Sequence, residues 1–235
     1  MNRHGESEKV ENWQPRPNPI KGIKQGQWCC LEPIDAAKHG LSLFSAYQMD
    51  TEQRLWRYLP FGPFSEIEEF MDFVRSLEDR EDAQFYAIID KKNQAAVGFL
   101  AYLRINPSAG SIEIGALCYS PLLQRTRAST EATYLLLEHC FELGYRRCEW
   151  KCNALNGASR KSAKRFGFIY EGTFRQADVV KGANRDTDWF SIIDKDWFSL
   201  KRAFLQWLSS NNFDASGQQK CSLQDLISTH QSVNS

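Results

Sequence analysis

The 235-residue sequence has no excess of either charge, because 29 Lys and Arg offset 29 Asp and Glu. A protein that gathers nucleic acid by bulk neutralisation of phosphate needs a cationic surplus. That class is disfavoured, and only a local basic patch at Arg125 and Arg127 stays open. Long apolar runs are missing as well. The opening MNRHGESEKVENWQPRPNP has no apolar core of a secretory leader, and no stretch approaches the about 20 apolar residues that cross a bilayer. A soluble, cytoplasmic protein without a membrane partner is expected. The four histidines are isolated, and none of the seven cysteines stands in C-x₂-C spacing, so no metal site is expected. An odd cysteine count in a chain long enough to build a core without staples suits reduced, buried thiols.

The chain divides by composition. Residues 1–25 are polar and proline-containing, an N-terminal arm either ordered or loose. Residues 209–235 hold 14 Ser, Asn or Gln in 27 positions, which leaves little for a core and predicts a polar, disordered tail with at most a short helix near 222–228. Between them, residues 26–208 read as one domain. Its elements alternate in the order βααβββαβαββ, with a closing helix over 196–208. The expected strands are 27–31, 85–90, 95–105, 111–119, 145–151, 169–174 and 189–193. Asp35 is expected to cap a helix to Tyr47, and Ser65 with Glu68 a second helix to Leu77. Cys148, Trp150 and Cys152 share one face of their strand. Mixed order of this kind implies an α/β layered fold around an open sheet.

The stretch YSPLLQRTRASTEATYLLLEHCF, residues 119–141, carries the most chemistry. Two arginines, a serine and threonines lead into an apolar-periodic helix that Gly144 ends. Helix N-termini present unpaired N–H groups and a positive dipole end, so cations there are unfavourable unless an anion joins them.

Three segments in order carry a resemblance to the GNAT acyl-CoA-dependent N-acetyltransferases, in the branch with the ribosomal-protein N-terminal acetyltransferases. LCYSPLLQRTRASTEA is similar to the family's strand, Pro-x-x-Gln, phosphate loop and Thr-Glu-Ala helix start. NGASRKSAKRFGFIYEG is similar to its Asn-x-x-Ser, Gly-Phe and Glu-Gly. FRQADVVKGANRDTDWFSIID is similar to its closing strands. The likeness spans about residues 27–198. It implies a GNAT-type fold in which a mixed, mostly antiparallel sheet, flanked by helices, splits between strands 111–119 and 145–152 to hold coenzyme A. Acetyl-CoA is then the cosubstrate, bound by Leu117, Cys118, Tyr119, Gln124, Arg125, Thr126, Arg127, Ala128, Ser129, Thr130, Asn156 and Ser159. The family loop usually has glycine where Arg127 stands. At a helix start arginine tolerates the ordinary dihedrals, and its side chain would then point at phosphate.

Acetyl transfer from a thioester to an amine needs a base for the amine's proton, a donor for the developing oxyanion and stabilisation of the thiolate. A backbone N–H of Leu117–Tyr119 suits the oxyanion. Asp178, in Gln176-Ala177-Asp178, matches the acidic position of the ribosomal-protein branch and is the first candidate base; the alternative is a solvated loop carboxylate or a partner of Arg175. Glu113 is the second candidate, facing away from Ile112 and Ile114 toward either substrate or solvent. The tyrosine acid of many family members is replaced by Ala163, which leaves Ser159 either to donate toward the thiolate or to cap a helix. Asn156 either bonds the pantetheine or serves as a turn residue. Residues 184–189 either bind a polar substrate or lock their own turn, and Trp56 with Tyr58–Phe64 either wall the acceptor pocket or pack as satellite core. The resemblance implies an acyltransferase acting on a peptide N-terminus or a small amine, as monomer or homodimer; a non-catalytic acyl-CoA sensor is the alternative.

Overall fold

The computed structural model describes residues 9–232. The N-terminal arm is partly ordered. The Trp13 indole donates to the Ser108 carbonyl, 2.9 Å, and the Tyr145 hydroxyl donates to the Pro17 carbonyl, 3.1 Å. Residues 1–8 and 233–235, the ends of the expected arm and tail, lie outside the described part.

One eight-stranded sheet runs β1 (Lys24–Gln25), β2 (Cys29–Pro33), β3 (Gln84–Asp90), β4 (Ala95–Asn106), β5 (Ser111–Tyr119), β6 (Arg147–Asn153), β8 (Ala183–Ile193), β7 (Ile169–Val180). All neighbours are antiparallel except β5 and β6. Alternation along the strands feeds two cores. On one face α1 (Ala36–Gln48) and α2 (Ile67–Glu78) cover Phe85, Ala87, Phe99 and Ala101. On the other, α3 (Arg127–Glu142), α4 (Gly157–Arg165) and α5 (Asp194–Leu208) cover Tyr86, Ile88, Tyr102, Ile112, Cys148 and Trp150. Cys148, Trp150 and Cys152 are all buried, as their shared face requires. Six of the seven cysteines are buried, every one is a free thiol, and only Cys221 is exposed.

The β5–β6 pairing decides what the sheet can do. It holds at Ser111↔Arg147, Ile112↔Cys148 and Glu113↔Glu149, and no further. Beyond that point β5 runs to Tyr119 and β6 to Asn153 without each other. β5 also bulges there: Cys118 faces Phe99 and Gly115 faces Ala101, so Ala116 and Leu117 share one opposite position, with Ala116 at φ +51°.

Four expectations change. The polar tail is folded: α6 (Leu223–Ser232) buries Leu223, Leu226 and Ile227, an i, i+3, i+4 stripe that docks on the core although its surroundings are polar. Ser65 does not cap α2, whose N-cap is Glu66 without a side-chain bond. The first strand splits in two around a turn at residues 26–28. The last hairpin is much longer than its apolar parts, 169–180 against 183–193, because cross-strand pairing persists through residues that are mostly exposed.

Candidate active site

A cavity of about 1590 Å³ opens at the parting of β5 and β6 and runs past the start of α3. Its root is closed by an ionic ladder on one face of the sheet. Glu113, with a side chain only 6% exposed, meets Arg104 Nε at 2.7 Å and Lys151 Nζ at 3.3 Å. Arg104 also reaches Glu149, which meets Arg147 Nε at 2.8 Å, and Arg147 pairs with Glu171 at 2.5 Å. The Arg147 guanidinium, hydrogen-bonded to Glu171, holds that carboxyl below its ordinary range and is itself raised. Trp189 lies beside the ladder, with Arg104 and Lys151 over its ring at 4.5 and 4.9 Å. Its indole N–H is buried and has no partner among the described residues.

At the other end the loop 120–126 delivers α3. Gln124 donates to the Tyr119 carbonyl, 2.9 Å. Thr126 caps the helix, accepting from the Ser129 N–H at 3.1 Å, while Ser129 Oγ donates back to the Thr126 carbonyl. This leaves the N–H groups of Arg127 and Ala128 without an intrahelical acceptor at the first turn. The left-handed residue of the loop is Arg125, φ +60°, and Arg127 is an ordinary first helical residue. The missing glycine therefore costs nothing at Arg127; the strained backbone lies two residues earlier. The Arg127 guanidinium lies 4.4 Å from the Trp28 ring and 3.7 Å from that of Phe213.

The helix start is braced by Glu131, which sequence reasoning missed. It is 4% exposed and accepts backbone N–H bonds from Gln27, Trp28 and Cys29 at 2.7, 2.6 and 2.7 Å. A Cβ on Gly26 would fall 2.4 Å from that carboxyl, so the turn needs glycine. The Gly-Gln-Trp turn facing a Thr-Glu-Ala helix start is a pattern that could have signalled it.

Leu117, Tyr119, Gln124, Arg125, Thr126, Arg127, Ser129, Thr130, Asn156 and Ser159 all line the cavity, while the side chains of Cys118 and Ala128 are buried behind it. Asn156 caps α4 by accepting from the Ser159 N–H, 3.0 Å. Ser159 Oγ accepts the Trp150 indole N–H, 3.0 Å, which frees its own proton to be donated. That hydroxyl also lies within bonding reach of the Cys152 sulfur, where it opposes the upward push of burial on the thiol. Buried Asp188 ties α4 to the hairpin through Arg160 Nε at 2.8 Å and the Thr173 hydroxyl at 2.5 Å.

The two candidate carboxylates share the cavity but not a place in it. Register carries Glu113 to Glu149 to Ser191, and Asp178 to Arg185. Six residues of β8 separate those levels, roughly 20 Å at about 3.3 Å per residue. Asp178 Oδ1 accepts the Val179 N–H at 2.8 Å and, among the described residues, Oδ2 has no partner. The bulge that sets Asp178 is held by Asp186, which accepts from Gln176 N at 2.7 Å and from Asn184 Nδ2 at 3.0 Å. So residues 184–186 lock their own hairpin, while Arg185, Thr187 and Trp189 face the cavity.

The loop between α1 and α2 forms the outer wall with Tyr58, Leu59, Pro60 and Phe61. Trp56 is core, edge-on to Tyr47 and Phe64. A side chain at Gly62, φ +65°, would strike its ring at 2.5 Å. Two bonds span the cavity: the Tyr58 hydroxyl to the Leu155 carbonyl, 3.1 Å, and Lys181 Nζ to the Trp56 carbonyl, 2.8 Å. Among the described residues no helix is long and apolar enough to cross a membrane, and no cluster of three His, Cys, Asp or Glu could hold a metal.

Residues 30–169 match the acetyltransferase (GNAT) domain family. A GCN5-related N-acetyltransferase from Brucella melitensis is 44% identical, with 93% of this chain and 100% of that one covered at a TM-score of 0.91. The uncharacterized N-acetyltransferase p20 of Bacillus licheniformis is 24% identical over 151 residues, 63% of this chain and 84% of that protein. The Salmonella typhimurium acetyltransferase that modifies the N-terminal serine of 50S ribosomal protein L7/L12 shares the fold at 24% identity, with 73% and 98% covered and a TM-score of 0.62.

Proposed function

Because the chain belongs to the GNAT acetyltransferase family, we propose that it moves an acetyl group from acetyl-CoA to a primary amine, and that the amine is a peptide N-terminus. The observation that carries the reading is the β5–β6 parting beyond Glu113↔Glu149, which leaves two facing strand edges inside one sheet. An amide-bearing chain such as pantetheine satisfies such edges as a strand would. Its pyrophosphate would meet the unpaired N–H groups of Arg127 and Ala128 and the Arg125 side chain. The L7/L12 acetyltransferase of similar fold supports a protein N-terminus as acceptor. So do the exposed Leu155, Phe174 and Val179 around the hairpin end, which offer more apolar surface than a small amine needs.

In this reading the unpaired Oδ2 of Asp178 takes the proton of the incoming amine, directly or through one water. Backbone N–H groups at the Ala116–Leu117 bulge meet the developing oxyanion. As the C–N bond forms and the C–S bond breaks, the Ser159 hydroxyl, oriented by Trp150, hydrogen-bonds the departing sulfur. The free Trp189 indole N–H is available to a carbonyl of the acceptor. The test is thiol release from acetyl-CoA with a panel of N-terminal peptides and small amines, alongside calorimetry with acetyl-CoA. Peptide-dependent release is expected. Turnover of small amines alone overturns the acceptor, and binding without any transfer replaces the enzyme by a sensor.

A further inference from the structure

The cavity does not end at α3. It continues along a second wall made by Trp207, Phe213, Gly217 and Gln219, from the C-terminal segment that composition marks as a tail. That segment is built. Asp214 Oδ1 accepts from the N–H groups of Ser216 and Gln218, both 2.9 Å, and closes a loop whose ends pair at Phe213↔Gln219. The Trp207 indole donates to Gln219 Oε1 at 2.8 Å, and Asn212 bonds the backbone of Cys221 at both its amide nitrogen and oxygen. Phe213 packs edge-on against Trp207, 5.2 Å between centroids.

This wall faces arginines without counter-charges. Among the described residues, no carboxylate lies within ion-pair distance of Arg125, Arg127 or Arg165. Arg165 lies over Trp207 at 4.8 Å and gives one hydrogen bond, to Thr130 Oγ1 at 3.0 Å; burial pushes its guanidinium down. The Arg127 guanidinium lies over both the Trp28 and Phe213 rings, at 4.4 and 3.7 Å, and Trp28 is fixed by its own bond to the Leu208 carbonyl, 3.1 Å. Stacking occupies the faces of a guanidinium and leaves its in-plane N–H donors aimed past the rings, the geometry that takes a phosphate.

We propose that the loop 213–219 completes the cosubstrate site at its nucleotide end, and that Arg127, held by Trp28 and Phe213, binds the 3′-phosphate of coenzyme A together with Arg165. This rests on the acetyl-CoA reading above. The aromatic pair fixes the charge that binds, so Phe213 is a positioning residue and the C-terminal segment belongs to the recognition machinery.

The test is calorimetry of the full chain with CoA, 3′-dephospho-CoA and 4′-phosphopantetheine, for wild type, Phe213→Ala and Arg127→Gln, with thermal melts to confirm folding. Wild type is expected to prefer CoA to dephospho-CoA by about tenfold or more, the worth of one charge-assisted contact. Both variants should bring that ratio to about twofold while binding phosphopantetheine like wild type. Equal affinities of wild type for CoA and dephospho-CoA, or an unchanged ratio in folded variants, overturn the proposal while leaving the acetyl-CoA reading intact. If Phe213→Ala does not fold, the wild-type ratio and Arg127→Gln decide. If wild type binds none of the three compounds, the acetyl-CoA reading falls and this proposal with it.

Discussion

The two ends of the cavity treat charge in opposite ways. At the root, Glu113, Glu149 and Glu171 are each matched by Arg104, Lys151 or Arg147, so the cluster satisfies itself. At the α3 end, arginines lie over aromatics with no carboxylate in reach among the described residues, and on the β7–β8 hairpin Asp178 keeps one oxygen uncommitted. Groups bonded within the chain hold the sheet together. Groups oriented but unspent are the ones a ligand can use; for half-buried Arg127 and Arg165 a charge without a partner is costly until one arrives, while exposed Asp178 is simply uncommitted.

The sharpest test of that contrast pits one carboxylate against the other. Asp178→Asn should lower kcat by about 10²–10³-fold with the melting temperature and acetyl-CoA affinity unchanged, since it removes a base and no structural bond. Glu113→Gln should act the other way. It leaves Lys151 and part of Arg104 unmatched in a nearly closed site and should cost about 2 kcal/mol of stability, read by denaturant unfolding. A folded Glu113→Gln enzyme that has lost turnover, beside an active Asp178→Asn, would exchange the two roles. Ser159→Ala should reduce kcat by about tenfold or less, because a thiolate leaves readily, and the loss should shrink with better thiol leaving groups. The smallest effect belongs to the root ladder in acid. The Glu171 carboxyl is depressed chiefly by its hydrogen bond to Arg147, so its contribution is complete above the ordinary glutamate range. It fades as pH falls below that range, and in melts at descending pH Glu171→Gln should show a flatter acid limb than wild type.

Much of the fold and of the loop that leads into α3 was legible because it is local. The helix from Arg127, the glycine that ends it, the alternation through Cys148, Trp150 and Cys152, and the Asn156-x-x-Ser159 cap are short-range patterns. What stayed hidden depends on contacts across long sequence distances. Glu131 closes the turn at Gln27–Cys29, about a hundred residues away, and the Thr-Glu-Ala and Gly-Gln-Trp signals mean something only when read together. The aromatic contacts of Arg127 exist only once Trp28 and Phe213, far away in sequence, are folded against it. The C-terminal segment seemed too polar to fold, yet Leu223, Leu226 and Ile227 suffice once α5 offers them a surface. The hairpin from 175 to 188 lacks an apolar face, and its strands are kept by register and by Asp186 instead.

The parted strands also bear on edge-to-edge pairing between chains. Unzipped edges ordinarily invite pairing with a neighbouring chain and so seed aggregation. Here both raw edges lie in the middle of the sheet, recessed between the α3–α4 side and the Tyr58 and Lys181 crossings. On the proposed reading a slender thioester arm threads that gap, whereas another protein's strand, with its side chains and flanking turns, meets walls first, so the recess guards these two edges against pairing with another chain.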